Sequence, residues 1–438
     1  MKPMFIISCP IDTYSGYGAR SRDLVKALIE LKNDEYDIKI LPQRWGNCPW
    51  GFIEDHKTEW GFLQPYLLPT GNQIPKQPEV WAQVTVPNEF QPVGKFNIGF
   101  TAGIETTVCA PQWIEGLNRM NLNIVSSNHA KTVFETSVFE KRDNNTNNVV
   151  GHIKLEKPVE VLFEGANLDK YFPSTEKSSI DLTNVKESFA YLFVGHWMQG
   201  QIGEDRKNVG LLVKLFYETF KNQKKTPALI LKCSGAGSSY LDRDEMLNRI
   251  NQIKSQIKAD TLPNIYLLHG EFSDQEINEL YNHKKVKAMV SLTKGEGFGR
   301  PLLEFSLTKK PIITTNWSGH TDFLDSKFTT LVSGEVKQVH QSAAVKDMIL
   351  QESGWFAPNI METQQHLQNM FKNYKAYEKG AMLQYHRSKN NFSFTNMKET
   401  FDLYLDNIPE FPKQVKLQLP KLNKIELPKL KKVENVKG

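Results

Sequence analysis

Short apolar runs alternate with helical patterns along most of this chain, and that alternation points to parallel α/β domains. Phe5–Ser8 reads as the first strand, followed by a polar, glycine-bearing turn from Asp12 to Gly18. Leu24, Val25, Leu28, Ile29 and Leu31 then recur at helical spacing within Ser21–Leu31. Asp37–Leu41, Asn97–Thr101, Asn123–Ser126 and Val159–Phe163 continue as strands of one sheet. A second series runs through Ala190–Val194, Ala228–Lys232, Ile265–Leu268, Ala288–Leu292 and Pro311–Thr314. Right-handed crossovers would align each series in one sheet, with ligands at the carboxyl ends of the strands.

The chain has 438 residues, too many for one ordinary core, so two Rossmann-sized domains are expected. Tyr171–Lys186 lacks periodicity and carries Pro173, Ser174, Ser178 and Ser179, which puts a linker there. The expected domains are 1–172 and 189–392, joined by 173–188. A helix over Ser393–Ile408, within 393–411, is expected to pack back toward the first domain.

From 412 to 438 four-residue LPKL motifs and prolines predict an extended tail. Eight lysines stand there against Glu426 and Glu434, so this tail holds the excess behind the net charge of +5. It is either a solvated end or a dock for an anionic partner.

The hydrophobic fraction of 39% is ordinary for a soluble protein. No run of about eighteen apolar residues exists, so no transmembrane helix is expected. MKPMFIISCP has no small-residue cleavage site and reads as a buried strand, not a signal peptide. Cys9, Cys48, Cys109 and Cys233 are scattered without a CxxC pair. Reduced thiols in a cytoplasmic protein, of a bacterium or a phage-infected host, are the expectation.

The chemistry concentrates in Ala288–Glu304, AMVSLTKGEGFGRPLLE. A buried strand ends near Thr293, a turn with Gly295, Gly297 and Gly299 follows, and Pro301 suits the first position of a helix. Glycines let backbone amides approach a phosphate, and a helix N-terminus adds unpaired N–H groups. Glu296 and Glu304 have seven residues between them and can both face the crevice. Carboxylates repel phosphate, so sugar hydroxyls are their natural ligands.

This segment resembles the donor-binding signature of retaining GT-B glycosyltransferases, the family-four or glycosyl transferases group 1 type, in which seven residues separate two glutamates. The continuation PIITTNWSGHTDFL, Pro311–Leu324, also looks like the family's next strand and loop. The resemblance implies two Rossmann-like, doubly wound parallel-sheet domains facing across a crevice. It implies transfer of a sugar from a nucleotide-diphosphate sugar to an acceptor hydroxyl, with retention of anomeric configuration. Glu296 would contact the donor sugar, the backbone of Gly297, Phe298 and Gly299 would hold sugar and diphosphate, and Glu304 would accept bonds from ribose hydroxyls. No cofactor beyond the donor substrate is implied.

The family places an arginine after the second domain's first strand and a lysine several residues on, to neutralise the leaving diphosphate. Here Phe193–His196 ends that strand and Glu204-Asp-Arg-Lys-Asn208 follows. Lys207 fits the lysine. His196 stands where the arginine is found, either as a donor contact or as a satisfied strand-end histidine. Arg206 is expected to supply the missing charge.

In the first domain, Gly16-Tyr17-Gly18 resembles the family's loop over donor and acceptor. Glu105, at a strand end, is the nearest ionisable candidate where relatives carry a histidine, since this chain has none between His56 and His129. It would orient the acceptor hydroxyl or take its proton. Asn128 is expected to cap a helix, with His129 as a ligand contact or a bystander. Glu164–Asn167 is expected to shape the hinge. Asp242-Arg-Asp244 matches a metal-binding Asp-x-Asp pattern but reads as acidic residues at a helix start, and no metal cluster is expected. The acceptor is a saccharide or surface glycan, or a hydroxymethylated DNA base. Two other functions suit the same domains: a non-catalytic nucleotide-sugar binder, or a sugar phosphorylase.

Overall fold

The structure, a computed structural model, describes residues 2–69, 74, 76–143, 145–176, 178–235, 237 and 239–411; the expected basic tail at 412–438 lies outside the described residues. Elements of the first half, in chain order, are β1 (Met4–Cys9), α1 (Gly16–Lys32), β2 (Asp37–Pro42), the one-turn helices α2 (Phe52–Asp55) and α3 (Lys57–Trp60), β3 (Val80–Val84) and β4 (Phe96–Thr101). Then come α4 (Pro111–Asn118), β5 (Leu122–Val125), α5 (Asn128–Thr136), β6 (Phe139–Arg142), β7 (Val149–Ile153) and β8 (Val159–Val161). Six of these strands form a parallel sheet in the order β2-β1-β3-β4-β5-β8, while β6 and β7 make a separate antiparallel hairpin.

The second half contains β9 (Ala190–His196), α6 (Val209–Phe220), β10 (Ala228–Ser234), α7 (Tyr240–Ser255), β11 (Ile265–Leu268), α8 (Asp274–Asn282) and β12 (Val286–Ser291). It continues with α9 (Arg300–Ser306), β13 (Ile312–Thr315), β14 (Thr330–Val332), β15 (Gly334–Gln338), β16 (Gly354–Pro358), α10 (Ile360–Lys372) and α11 (Lys375–Asn391). Its parallel sheet runs β11-β10-β9-β12-β13-β14, with β15 and β16 as an antiparallel hairpin beside it. The central strands are buried on both faces, which is why β1 and β9 read as continuous apolar runs. Each sheet reverses its winding next to its first strand, between β1 and β3 and between β9 and β12. Chains leaving such strands diverge and open a crevice, and the loops after β9 and β12 carry Lys207 and Glu296.

A last helix, α12 (Phe394–Leu405), follows α11. Its Met397, Phe401 and Leu405, spaced one turn apart, enter the apolar core beneath the first sheet. Phe401 meets Phe100 of β4 edge-on at 5.7 Å, and the Tyr404 hydroxyl donates to the Val161 carbonyl at 2.8 Å.

Several local expectations change. β3, at the middle of the first sheet, went unread because Gln83 interrupts its apolar run; its buried amide is satisfied by the Glu89 carbonyl and the Gln91 amide. The turn expected from Asp12 to Gly18 ends early. Ser15 caps α1 by accepting from Gly18 N–H at 2.9 Å, so Gly16, Tyr17 and Gly18 form the helix's first turn and not a loop. At Gly18 a Cβ would lie 2.3 Å from the Thr13 carbonyl oxygen, so glycine serves packing there. Ser127, not Asn128, caps α5: its hydroxyl accepts from Ala130 N–H at 3.2 Å. Asn128 instead donates its backbone N–H and its side-chain amide, each at 2.9 Å, to Asp322 of the second half.

Candidate active site

Between β12 and α9 the chain turns through residues 292–299, and Gly299 adopts φ +98° as the cap of α9, a conformation that favours glycine. Helix α9 therefore starts at Arg300, with Pro301 its second residue. The other glycines answer a different demand. A Cβ on Gly295 would lie 2.0 Å from the Glu105 carbonyl oxygen, and one on Gly297 would lie 2.6 Å from that of Ala102. The first domain's chain after β4 thus packs directly on the glycine turn. The loop after β13 braces it from the other side: Ser318 Oγ accepts from Glu296 N–H at 2.9 Å, and Gly319 N–H donates to the Glu296 carbonyl at 3.0 Å.

Glu296 is buried, and both its carboxylate oxygens lie 2.6 Å from Lys207 Nζ. Arg206 stands 3.7 Å from the same carboxylate and 3.2 Å from that of Glu105, which reaches in from the first domain. Burial works to raise the Glu296 carboxyl, but the charges of Lys207 and Arg206 outweigh it and hold the group at about 2. Four residues named from the sequence therefore meet as two carboxylates against two cations, across the domain crevice. The space among Lys207, Glu296 and Pro301 is about 10 Å³, room for about one water.

Glu304 lies apart from that pair, in a buried cluster centred on Arg300. The Arg300 guanidinium donates to Glu304 at 2.9 Å and to Asp23 of α1 at 2.6 Å, with Glu164 3.6 Å away. Burial pushes the Glu304 carboxyl up to about 7, against the opposing pull of Arg300. Asp23, Arg20 and Arg300 were not singled out from the sequence. The signal was present: Arg20, Arg22 and Asp23 are charges on buried positions of α1. Glu164, expected at a hinge, belongs to this cluster as well.

His196 ends β9 exposed, with Nδ1 3.2 Å from Ser234 Oγ. Tyr17 stacks on Trp45 at 3.9 Å, and its hydroxyl sits 3.0 Å from Thr101 Oγ1 while accepting from Ala102 N–H. It therefore anchors α1 to the end of β4. A Cβ on Gly16 would meet nothing within 4 Å. The Phe298 side chain packs in the core against Phe323, at 5.0 Å, so only its backbone is available to a ligand. His129 lies 4.6 Å from Trp317, and burial lowers its imidazole to about 4, which keeps it neutral. Asp242 and Asp244 fall in the first turns of α7: Asp242 accepts from Gly235 N–H and lies 2.7 Å from His269 Nε2, while Asp244 pairs with Arg243. Among the described residues no group of His, Cys, Asp and Glu is placed to hold a metal ion.

Residues 199–371 match the family model described as glycosyl transferases group 1. The chain has a GT-B-type fold, and its second half carries the match to this family. It is similar in fold to a glycosyltransferase of Rickettsia africae, with a TM-score of 0.59, 14% identity and coverage of 93% of this chain and 98% of that one. It is similar to Anabaena HepE in complex with UDP and glucose, with a TM-score of 0.58, 11% identity and coverage of 92% and 99%. Sucrose-phosphate synthase of Thermosynechococcus elongatus gives a TM-score of 0.58 at 11% identity, covering 93% and 99%. No curated protein sequence matches the chain. No helix among the described residues is long and apolar enough to cross a membrane.

Proposed function

We propose that this chain is a glycosyltransferase that moves a sugar from a nucleoside-diphosphate sugar to an acceptor hydroxyl, with retention of anomeric configuration. The observation that carries this reading is the buried Glu296 carboxylate clasped by Lys207 and Arg206 at the mouth of the crevice. A diphosphate is the chemistry that two cations facing a glycine turn would take up. Donor entry would exchange the carboxylate partners of Lys207 and Arg206 for phosphate oxygens, freeing Glu296 to accept bonds from sugar hydroxyls.

As the anomeric bond breaks, negative charge develops on the departing phosphate oxygen. Lys207, Arg206 and the amides of Gly297, Phe298 and Gly299 would stabilise it where water is excluded. Glu105, released from Arg206, would orient the acceptor hydroxyl or take its proton. Glu304 would turn to the ribose, and the first turn of α1 at Gly16, with His196 opposite, would flank the donor. The acceptor attacks on the face that the diphosphate leaves, so no protein nucleophile takes part. It is a saccharide of a surface glycan or a hydroxymethylated base in DNA. UDP-glucose bound to HepE supports a uridine donor as the first to try.

Glu296→Gln tests this reading. Transfer and slow donor hydrolysis should fall by about 100-fold or more, while nucleoside diphosphate binds as well as before or tighter, because Lys207 loses its competing partner. Full activity in that variant would sink the assignment. A panel of nucleotide sugars screened by calorimetry and slow hydrolysis identifies the donor.

A further inference from the structure

Beside the glycine turn, at Lys294, lies a second cavity of about 550 Å³. Ligand pockets commonly fall between about 300 and 1,000 Å³. It opens between the 202–204 loop, the start of α6 and the β15–β16 hairpin, and it shares no lining residue with the space around Glu296. Asn208 lines it, fully buried and held at φ +57°, and neither its amide nitrogen nor its amide oxygen has a hydrogen-bond partner among the described residues.

The chemistry of the lining selects the ligand. Gln338, Gln341 and Gln351 are exposed amides, each offering a donor and an acceptor, while the buried Asn208 amide stands just behind this wall. Glu204 opposes an anion, whereas Lys294 and Lys337 oppose a cation, and Glu204 and Lys294 already face each other at 3.6 Å. Hydroxyl groups, which donate and accept at once, match such a lining better than either charge. Ile202, Leu211 and Val339 supply aliphatic surface for the C–H face of a ring.

We propose that this cavity is a second saccharide site, taking a neutral sugar unit outside the reaction crevice. Its use, holding a growing or extended acceptor chain, rests on the glycan-acceptor reading given above. The site also touches the catalytic turn: Lys294 N–H donates to the Arg206 carbonyl at 2.8 Å, and Phe356 N–H of the hairpin donates to the Lys294 carbonyl at 3.0 Å. An occupant is therefore two residues from Glu296 along the chain.

The test uses the full chain without donor on an array of neutral glucose, galactose, mannose and N-acetylglucosamine oligosaccharides, with inorganic phosphate as the anionic control. At least one oligosaccharide should bind. The double variant Gln338→Ala/Gln351→Ala and the blocking variant Ile202→Trp should each weaken it by about tenfold or more, roughly the loss of one good hydrogen bond or of access. Both leave slow donor hydrolysis within about twofold, because neither position touches the Glu296 site. Should the double variant fail to fold, Ile202→Trp at the exposed rim decides alone. Absence of binding across the array, binding unchanged in the variants, or binding of phosphate only would overturn the proposal. Because binding is read without donor, a failure of donor turnover and a failure of this site are separate results.

Discussion

At the scale of single residues, Glu296 and Glu304 share a sequence spacing but live in opposite electrostatic surroundings. Glu296 is held at about 2 by two cations, and Glu304 is pushed up to about 7 by burial. The second shift has a definite sign. Between the ordinary value of 4.5 and about 7 the folded protein keeps a proton on Glu304 that the unfolded chain has lost. Stability from this group is full below that window and is lost as pH rises through it. Glu304→Gln removes the effect. Urea melts across pH 5 to 8 should show wild type losing on the order of 2 kcal/mol relative to the variant. Parallel pH profiles for the two proteins would refute the assignment. Arg300 carries the larger stake: Arg300→Ala strands Asp23 and Glu304 without their counter-charge and should cost roughly 3–5 kcal/mol in the same melts.

At the scale of elements, the glycine turn is a docking surface as much as a ligand loop. Gly295→Ala places a methyl group 2.0 Å from the backbone of Glu105, which cannot yield as a flexible side chain would. The expected result is a loss of roughly 1–3 kcal/mol in stability, with donor hydrolysis reduced as Glu105 and Arg206 are driven apart. Unaltered hydrolysis in a stable Gly295→Ala protein would show that the two loops do not need this contact. The turn was legible in the sequence because strand, glycines, proline and paired glutamates fall in a fixed order. β3 was not, since its polar Gln83 is satisfied only by chain that folds back on it from Glu89 and Gln91. The exposed β15 and the three-residue β14 carried no apolar alternation to read. The Asp23–Arg300 pair joins helices far apart in sequence, and no local pattern announces such a contact. Gly16 and Gly18 read as a loop because glycine disfavours helix; the Ser15 cap overrides that preference, and close packing on Thr13 calls for glycine at Gly18 alone.

At the scale of the whole molecule, the halves meet through charge and amide contacts that span the crevice: Arg206 with Glu105, Arg300 with Asp23, Asn128 with Asp322, and Thr107 with Gly354. Contacts of this kind are exchanged for ligand or water at modest cost, which suits closure over a donor. Helix α12 is different. It contributes Met397, Phe401 and Leu405 to the core of the first sheet, an apolar contact edged by the Tyr404–Val161 hydrogen bond and the Lys32–Asp402 and Lys398–Glu30 pairs. A chain ending at residue 392 should therefore express as insoluble or molten material, whereas one ending at 411 should melt cooperatively by circular dichroism. A well-folded 1–392 protein would show the helix to be dispensable.

The placement of α12 also fixes an order of events during synthesis. The ribosome delivers β1 to β8 long before it delivers the helix that covers them. Until then the nascent first half presents Phe100 and its neighbours to solvent without their lid. Because domains otherwise fold as units while they emerge, the second half of this chain is expected to finish first and the first half to close afterwards.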